Sequence, residues 1–566
     1  MSRQIIDLTQ DDDDDDVSCI EKERVRVRVP FAAKCKTSIK DLSAALESLS
    51  VNEKETVPQD DELIPKTIGA FKDYQFQKEH IGNMLSIFQR RFFCLDVSQT
   101  GLGKTRCAIM TAKALGYKMI ICCPKPAMSS WYRELKKVDY LDNVLTVTNF
   151  DVFRLGKWFD LSSAKNKATN PDFWTELKST PCPYIKKSVN PATNITEFAW
   201  DLPNNVLVVC DEAHKAKNKK TQNAGLLIGI RKFISQQEPE TNHRRVLLLT
   251  ATPIEKEKNI AFLLYLLGYI SKVGEYRSFM KTRTIADVHR LLFSQKLGIG
   301  MNKFIAASRM TMELAKKEFQ FVPIADIRCE LLDMPEEVRE KIEQKNTEIR
   351  IALEAIKLKK EIDGTCALVV LLRARQEIEA LKVDSYIYLA REKLKQGYSV
   401  LVFLNFRESV HLVEDAFRGD ERFLREEGAN DIKTVVKIAK IIGGQKPQER
   451  LAAEEMFQTG KANLLLCTIS SGGASISLHD TDGGRPRYAL VSTPWSASDV
   501  VQLCGRTNRV GSMSHPIYRI LFCRKTVEEI VARKLDEKMG DMDTFISGKY
   551  DGALLDWVRS GATLIN

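Results

Sequence analysis

The run Val206-Leu207-Val208-Val209-Cys210, followed at once by Asp211-Glu212-Ala213-His214, most limits what this chain can fold into. Five consecutive apolar residues leave no polar face, the pattern of a strand buried on both sides in a parallel sheet covered by helices. The acids that end the run then stand at the carboxyl-terminal edge of the sheet, where open α/β sheets take their ligands. A carboxylate pair there suits Mg²⁺ held through Asp211 and an attacking water oriented and deprotonated by Glu212.

About a hundred residues earlier stands Ser98-Gln99-Thr100-Gly101-Leu102-Gly103-Lys104-Thr105. Apolar Phe92, Phe93, Cys94 and Leu95 precede it, and residues 106–115, rich in Ala, Ile and Met, follow with helical character. Gly101 and Gly103 let backbone N–H groups approach phosphate oxygens, Lys104 offers a point charge for the β- and γ-phosphates, and Thr105 offers a hydroxyl for Mg²⁺. The strict phosphate-loop pattern has glycine at position 98, where this chain has Ser98. A chance Gly-x-Gly-Lys-Thr loop is the bland alternative. The strand before it, the helix after it and the acids downstream argue against that, so the pair of motifs predicts ATP hydrolysis with Mg²⁺.

With 566 residues, 44% of them hydrophobic, the chain is long enough for two or three cores. Its 13 cysteines contain no Cys-x-x-Cys pair, and Cys122 and Cys123 are adjacent, which favours buried reduced thiols over zinc sites or disulfides. No apolar run approaches the ~18 residues of a membrane span, and the amino terminus lacks a signal-peptide pattern. The expected setting is therefore intracellular, without a membrane partner. Residues 1–66 hold 16 acids and 10 bases, a net of −6 against +10 for the whole chain, which leaves +16 on the remainder. That excess is expected of a polyanion binder, although lysine-rich faces are often merely solvated.

Three regions follow. Residues 1–66, with six consecutive acids at 11–16, read as a disordered acidic tail. Residues 67–318 form a first α/β lobe with strands expected at 92–97, 119–123, 206–210 and 246–249. Residues 319–566 form a second, with strands expected at 400–403, 441–442, 464–467, 489–491 and 517–522. Alternation of short apolar runs with helical stretches argues for doubly wound parallel sheets. Residues 157–200, with four prolines, read as a polar surface excursion. Residues 272–315 read as a basic helical connection, 335–381 as helical, and a capping-box pattern at Thr526 and Glu529 opens a last helix. In the second lobe, Gln502-Leu503-Cys504-Gly505-Arg506-Thr507-Asn508-Arg509 puts two arginines three apart on one helix face, able to reach a γ-phosphate from across a cleft.

These blocks, in this order, resemble superfamily-2 helicase-like ATPases and, within them, the Swi/Snf-like DNA translocases. Asp73-Tyr74-Gln75 is similar to the adenine-reading glutamine motif, and Cys123-Pro124-Lys125 with Trp131 and Glu134 to the next block. Thr148-Asn149-Phe150-Asp151 follows, then the Asp-Glu-Ala-His box with Lys215-Ala216-Lys217-Asn218, then Thr250-Ala251-Thr252-Pro253. In the second lobe Phe403 with Asn405, Gly443-Gly444 with Arg450 and Phe457, Thr468 with Gly472-Gly473, and Gln502 to Arg509 keep the family order. The departures are Ser98-Gln99 in place of two acids, Ser475 and Ser477 in place of Gly and Asn, and Asn508 in place of His. They bear more on the coupling of hydrolysis to movement than on hydrolysis. The compact size resembles the helicase-like ATPases of large DNA viruses.

The resemblance implies two RecA-like lobes with ATP between them and a nuclear or viral replication or transcription setting. It implies that Gln75 reads adenine, that residues 98–105 and Gln502 bind nucleotide, and that Lys104, Glu212, Arg506 and Arg509 are catalytic. Thr105 and Asp211 would hold the metal, and His214, Thr250 and Thr252 would couple nucleotide state to the nucleic acid. Lys125, Thr148, Asn405 and Thr468 are its groove candidates; Trp131 and Phe457 are read as core. The leading expectation is a motor on double-stranded DNA that does not unwind it. The alternatives are an unwinding RNA or DNA helicase, and a non-motor nucleic-acid sensor or scaffold. Separately, Ile5, Ile6, Asp7 and Leu8 before the acids at 11–16 resemble a SUMO-interaction motif, a short apolar strand that would augment a sheet edge.

Overall fold

The computed structural model describes residues 74–547, apart from 162–176, 192–193, 217–220, 239–240, 256, 294–304, 358–363, 419–435, 473–475, 495 and 527. The expected acidic tail, the SUMO-like segment, Asp73, Phe173, Trp174, Lys217, Asn218, Gly473 and Ser475 lie outside the described residues.

Two parallel sheets of six strands organise the chain. The first contains β1 (Phe93–Asp96), β2 (Lys118–Cys122), β3 (Val144–Thr148), β8 (Val206–Asp211), β9 (Arg244–Leu249) and β10 (Ala307–Ser308), in the order β10-β1-β9-β8-β2-β3. Between β3 and β8 lie β4 (Lys157–Trp158) paired with β5 (Thr180–Pro181), and β6 (Ile185–Val189) paired with β7 (Thr196–Trp200), both antiparallel. The second sheet contains β11 (Asp326–Leu332), β12 (Ser399–Leu404), β13 (Ile438–Ile441), β14 (Leu464–Thr468), β15 (Arg487–Ser492) and β16 (Ile517–Cys523), in the order β11-β16-β15-β12-β14-β13. Parallel neighbours need crossover connections, and helices on both faces supply them. Every residue of β1, β12, β14 and β15 is buried, as expected for strands covered on two sides.

Register sets the site. Asp96 of β1 and Asp211 of β8 both pair with Leu249 of β9, so the ends of three adjacent strands lie level at one edge. The lobes are also joined away from that edge. The helix Glu528–Ser547 starts beside the second sheet and ends against the helix Ile285–Phe293 of the first lobe, where Phe545 packs against Phe293. His289 Nδ1 meets the Phe545 carbonyl at 2.9 Å there.

Several expectations are corrected. Residues 157–200 are not a polar excursion: Trp158, Ile185, Phe198 and Trp200 are buried in the first lobe's core. Gly229 of the helix Gln222–Ser235 allows this approach, since a Cβ there would lie 2.2 Å from the Phe198 carbonyl oxygen. Residues 272–315 are not helical throughout, because β10 completes the first sheet there. Strands β3 and β11 were not expected. β11 alternates charge and apolarity as an edge strand can, and Arg519 of β16 holds Asp326 and Glu330 at 2.8 Å each. β13 ends at Ile441 instead of beginning there.

Candidate nucleotide-binding site

Local sequence explains the shape of the phosphate loop. Gly101 and Gly103 hold φ of 81° and 90°, in the left-handed region where a Cβ is strained, and the helix Lys104–Leu115 starts directly after them. The loop is anchored from behind by a buried network. Asp96 accepts the Ser98 N–H at 2.8 Å and pairs with His80 Nε2 at 3.1 Å, while His80 Nδ1 meets Ser308 Oγ at 2.8 Å. Ser98 Oγ accepts the Met310 N–H at 2.7 Å, so the serine that replaces the pattern's glycine ties the loop to the chain leaving β10. Burial alone would raise the Asp96 carboxyl, but His80, Lys104 and Ser98 together hold it below its ordinary value.

Lys104 Nζ donates to the carbonyls of Ser98 at 2.7 Å and Gln99 at 3.1 Å. Burial lowers its pKa, and the charges of Asp96, Glu212 and Asp211 work against that shift. The acids differ in surroundings. Asp211 is pushed up by burial and by the neighbouring Glu212 charge, although Trp131 Nε1 donates to it at 3.0 Å. Burial acts the same way on Glu212, yet its hydrogen bond to His214, with Lys104 and Arg506 nearby, holds it low. Glu212 thus stays an ionised acceptor, and its φ of 54° is one of the few left-handed values at a non-glycine residue. Two carboxylates crowded together beside a lysine make a donor set that a divalent cation bridging to phosphate would relieve. Among the described residues no group of three or more His, Cys, Asp and Glu could hold a metal by itself.

His214 connects this centre to both lobes. Its Nδ1 lies 3.2 Å from Glu212 Oε2, 3.1 Å from Thr250 Oγ1 and 3.2 Å from Thr252 Oγ1. Its Nε2 lies 3.3 Å from Gln502 Nε2 on the second lobe's helix Ala497–Thr507. With the Gln502 amide donating, the ring proton belongs on Nδ1, facing Glu212 and the threonines. The same helix sits against the phosphate loop: a Cβ on Gly505 would lie 2.0 Å from Thr100 Oγ1, and one on Gly101 2.7 Å from Arg509 Cγ. Arg506 is buried, and its charge is felt at both Lys104 and Glu212. Arg509 is placed differently: its guanidinium donates to the carbonyls of Gly505 and Ile476 and to Ser477 Oγ, all in the second lobe.

The structure therefore gathers residues 98–105, Asp211, Glu212, His214, Thr250, Thr252, Gln502 and Arg506 around one cleft. Gln75 is not among them. It is exposed, its side chain bonded to Glu79 at 3.2 Å, whereas Gln77, two residues on, is buried and donates to the Leu102 carbonyl at 2.9 Å. Trp131 is core, as read, yet also a partner of Asp211. Phe457 is core, with the Arg487 guanidinium 4.6 Å over its ring.

The four groove candidates all follow the carboxyl ends of neighbouring strands. Lys125 is exposed after β2, and Thr148 ends β3, in register with Cys122. Thr468 ends β14, level with Leu404 of β12, which Asn405 follows. Thr148 and Thr468 are buried, and their hydroxyls make no hydrogen bond among the described residues. Asn405 is engaged inside the second lobe, donating to Glu379, Ser492 Oγ and the Thr493 carbonyl. Of the four, Lys125 alone is fully exposed, and Asn405 is half-buried.

Comparison with known proteins agrees in outline. Residues 381–511 match the family described as helicase conserved C-terminal domain. Over 529 residues the chain is 27% identical to a protein of Acanthamoeba polyphaga mimivirus that carries the provisional name ATP-dependent RNA helicase, covering 90% of this chain and 91% of that one. Over 357 residues it is 22% identical to the CHD3-type chromatin-remodeling factor CHR7 of Arabidopsis thaliana, covering 59% of this chain and 26% of that protein. A solved structure of S. cerevisiae Dbp5 bound to RNA and ADP BeF3 covers 84% of this chain and 94% of its own at 11% identity. Its TM-score is 0.40. Among the described residues no helix is long and apolar enough to cross a membrane.

Proposed function

We propose that the chain is a superfamily-2 helicase-like ATPase that depends on nucleic acid, and that it uses hydrolysis to move along double-stranded DNA, or to remodel complexes on it, without separating the strands. ATP with Mg²⁺ supplies the phosphoanhydride bond and the cation that neutralises charge on the phosphates. The protein's part is positional and electrostatic. The backbone of residues 101–105 with Lys104 would cradle phosphate, Thr105 and Asp211 would hold the cation, and Gln77 braces the loop at the Leu102 carbonyl. Glu212, ionised and aimed by His214, orients the attacking water and takes its proton. Arg506 brings positive charge to the γ-phosphate from the opposite lobe.

One observation carries the motor reading: His214 bonds the general base on one side and Gln502 of the other lobe on the other. Lobe closure and the catalytic carboxylate are thereby one network, so each hydrolysis event is tied to a lobe movement. Nucleic acid would cross the strand ends that carry Lys125, Thr148, Asn405 and Thr468.

Strand separation needs a wedge. Among the described residues of the first lobe's insertion, β6–β7 is the longer hairpin, and its aromatics Phe198 and Trp200 are spent in packing. Its tip, 190–195, reads Asn-Pro-Ala-Thr-Asn-Ile. Without an aromatic tip this hairpin makes a poor wedge. The relative named a chromatin-remodeling factor supports the translocase reading. The mimivirus relative's name supports a second, an RNA helicase. The SUMO reading rests on residues 1–66 and would add a partner without changing the motor.

Two assays on one preparation separate the readings: displacement of a third strand from a DNA triplex, and unwinding of tailed DNA and RNA duplexes. ATP-dependent triplex displacement without unwinding is expected. Efficient unwinding would overturn the translocase and make the hairpin central.

A further inference from the structure

Glu255 lies in the first lobe, three residues past Thr252, yet its carboxylate is spent on the second. It accepts hydrogen bonds from the Ser498 N–H at 3.3 Å, from Ser498 Oγ at 2.7 Å and from Ser496 Oγ. Ser496 is the N-cap of the helix Ala497–Thr507, and its own hydroxyl makes no cap bond to that helix. Ser498 is the second residue of the helix, where an N-cap acceptor normally takes an N–H. A carboxylate at this end also meets the positive pole of the helix dipole. Glu255 and Ser498 are both buried, so the contact is shielded from screening by salt.

We propose that Glu255 caps the arginine-bearing helix from across the cleft and is a positioning residue for ATP turnover. The helix it holds carries Gln502, Gly505 and Arg506, and the loop it comes from carries Thr250 and Thr252, which bond His214. Glu255 is thus a second inter-lobe tie, parallel to His214–Gln502, and acts on Arg506 through the helix without touching the reacting atoms. It lets the loop after β9 report the lobe arrangement to the base, and lets the base's surroundings select the closed arrangement. The inference rests on the ATPase reading for its consequence, but the tie itself concerns the two lobes alone.

The test therefore has two arms. In nucleotide-free protein, small-angle X-ray scattering of Glu255→Ala should show a larger radius of gyration than wild type at an unchanged melting temperature. In nucleic-acid-stimulated turnover, Glu255→Ala should lower kcat about tenfold or more, the scale for losing hydrogen bonds to a charged group. The Kd for a fluorescent ATP analogue should stay within about threefold, because phosphate contacts in the first lobe are intact. Glu255→Gln, which keeps an acceptor oxygen, should recover most of that kcat. Ser498→Ala should cost little further in the Glu255→Ala background, since both remove the same interaction. Additive losses for Glu255→Ala and Ser498→Ala, or an unchanged radius with wild-type kcat, would overturn the proposal. A wild-type protein without ATPase activity would fail the functional reading instead, and the scattering arm would still decide whether Glu255 ties the lobes.

Discussion

Gly505→Ala is expected to disable turnover while leaving the fold intact. The added Cβ would lie 2.0 Å from Thr100 Oγ1, 2.3 Å from Thr100 Cβ and 2.8 Å from Thr100 Cγ2. Neither side can yield cheaply, because Gly505 is inside a helix and Thr100 is in the anchored phosphate loop. Restoring an ordinary contact requires helix and loop to part by about 1.4 Å, and a misplacement near 1 Å typically costs roughly 100-fold in rate. Stability should move the other way, since alanine is favoured over glycine inside a helix by up to ~1 kcal/mol. The assay is steady-state ATP hydrolysis beside a thermal melt on the same preparation. The expected result is kcat down by about two orders of magnitude with an equal or higher Tm. Thr100→Gly removes all three clashing atoms, so adding it to Gly505→Ala should return kcat towards that of Thr100→Gly alone. If Gly505→Ala kept wild-type kcat, the lobe contact at Thr100 would not be part of the working cycle.

Lys104→Ala should weaken both ATP binding and turnover, because Lys104 meets charge already present on the bound phosphates; titration of a fluorescent ATP analogue checks the first and steady-state hydrolysis the second. Glu212→Gln should retain ATP and lower turnover by about 100-fold or more, the contribution of a general base, and near-normal hydrolysis would remove it from that role. Arg506→Ala should lower kcat far more than ATP affinity, read as a split between kcat and Kd. His479 is lowered to about 4 from an ordinary 6.5 by burial and by Arg509 and Arg487. Between those values the unfolded chain binds the extra proton, so folding stability should fall as the pH drops from about 6.5 towards 4. Melts of wild type and His479→Gln across that range should diverge, the variant losing less.

The parts of this molecule that were legible in the sequence are those whose chemistry demands particular residues at fixed spacing. The apolar run before Asp211 has the pattern of a strand buried on both faces, and β8 is buried from Val206 to Cys210. The glycines of the phosphate loop are equally local. What failed to show was decided by tertiary context. β3 and β11 carry polar residues that an edge position tolerates. The hairpins in 157–200 hide their apolar residues among prolines and lysines, and only the groove over Gly225 and Gly229 shows why Phe198 and Trp200 are buried. Gln75 and Gln77 stand two apart, and only the fold shows that Gln77 is the one turned to the phosphate loop. Arg509, expected on one helix face with Arg506, lies past the helix end at Thr507 and turns its guanidinium into its own lobe. Glu255 carries no local signature, because its partners are 241 and 243 residues away.

The central claim is that this two-lobed ATPase is driven by double-stranded DNA. The most direct measurement is the initial rate of ATP hydrolysis by one preparation, with Glu212→Gln as blank, titrated in turn with duplex DNA, single-stranded DNA and RNA at fixed salt, because backbone binding is strongly salt-dependent. Duplex DNA is expected to give the largest stimulation at saturation. Stimulation by RNA with none from duplex DNA would contradict the account and establish the RNA helicase reading in its place.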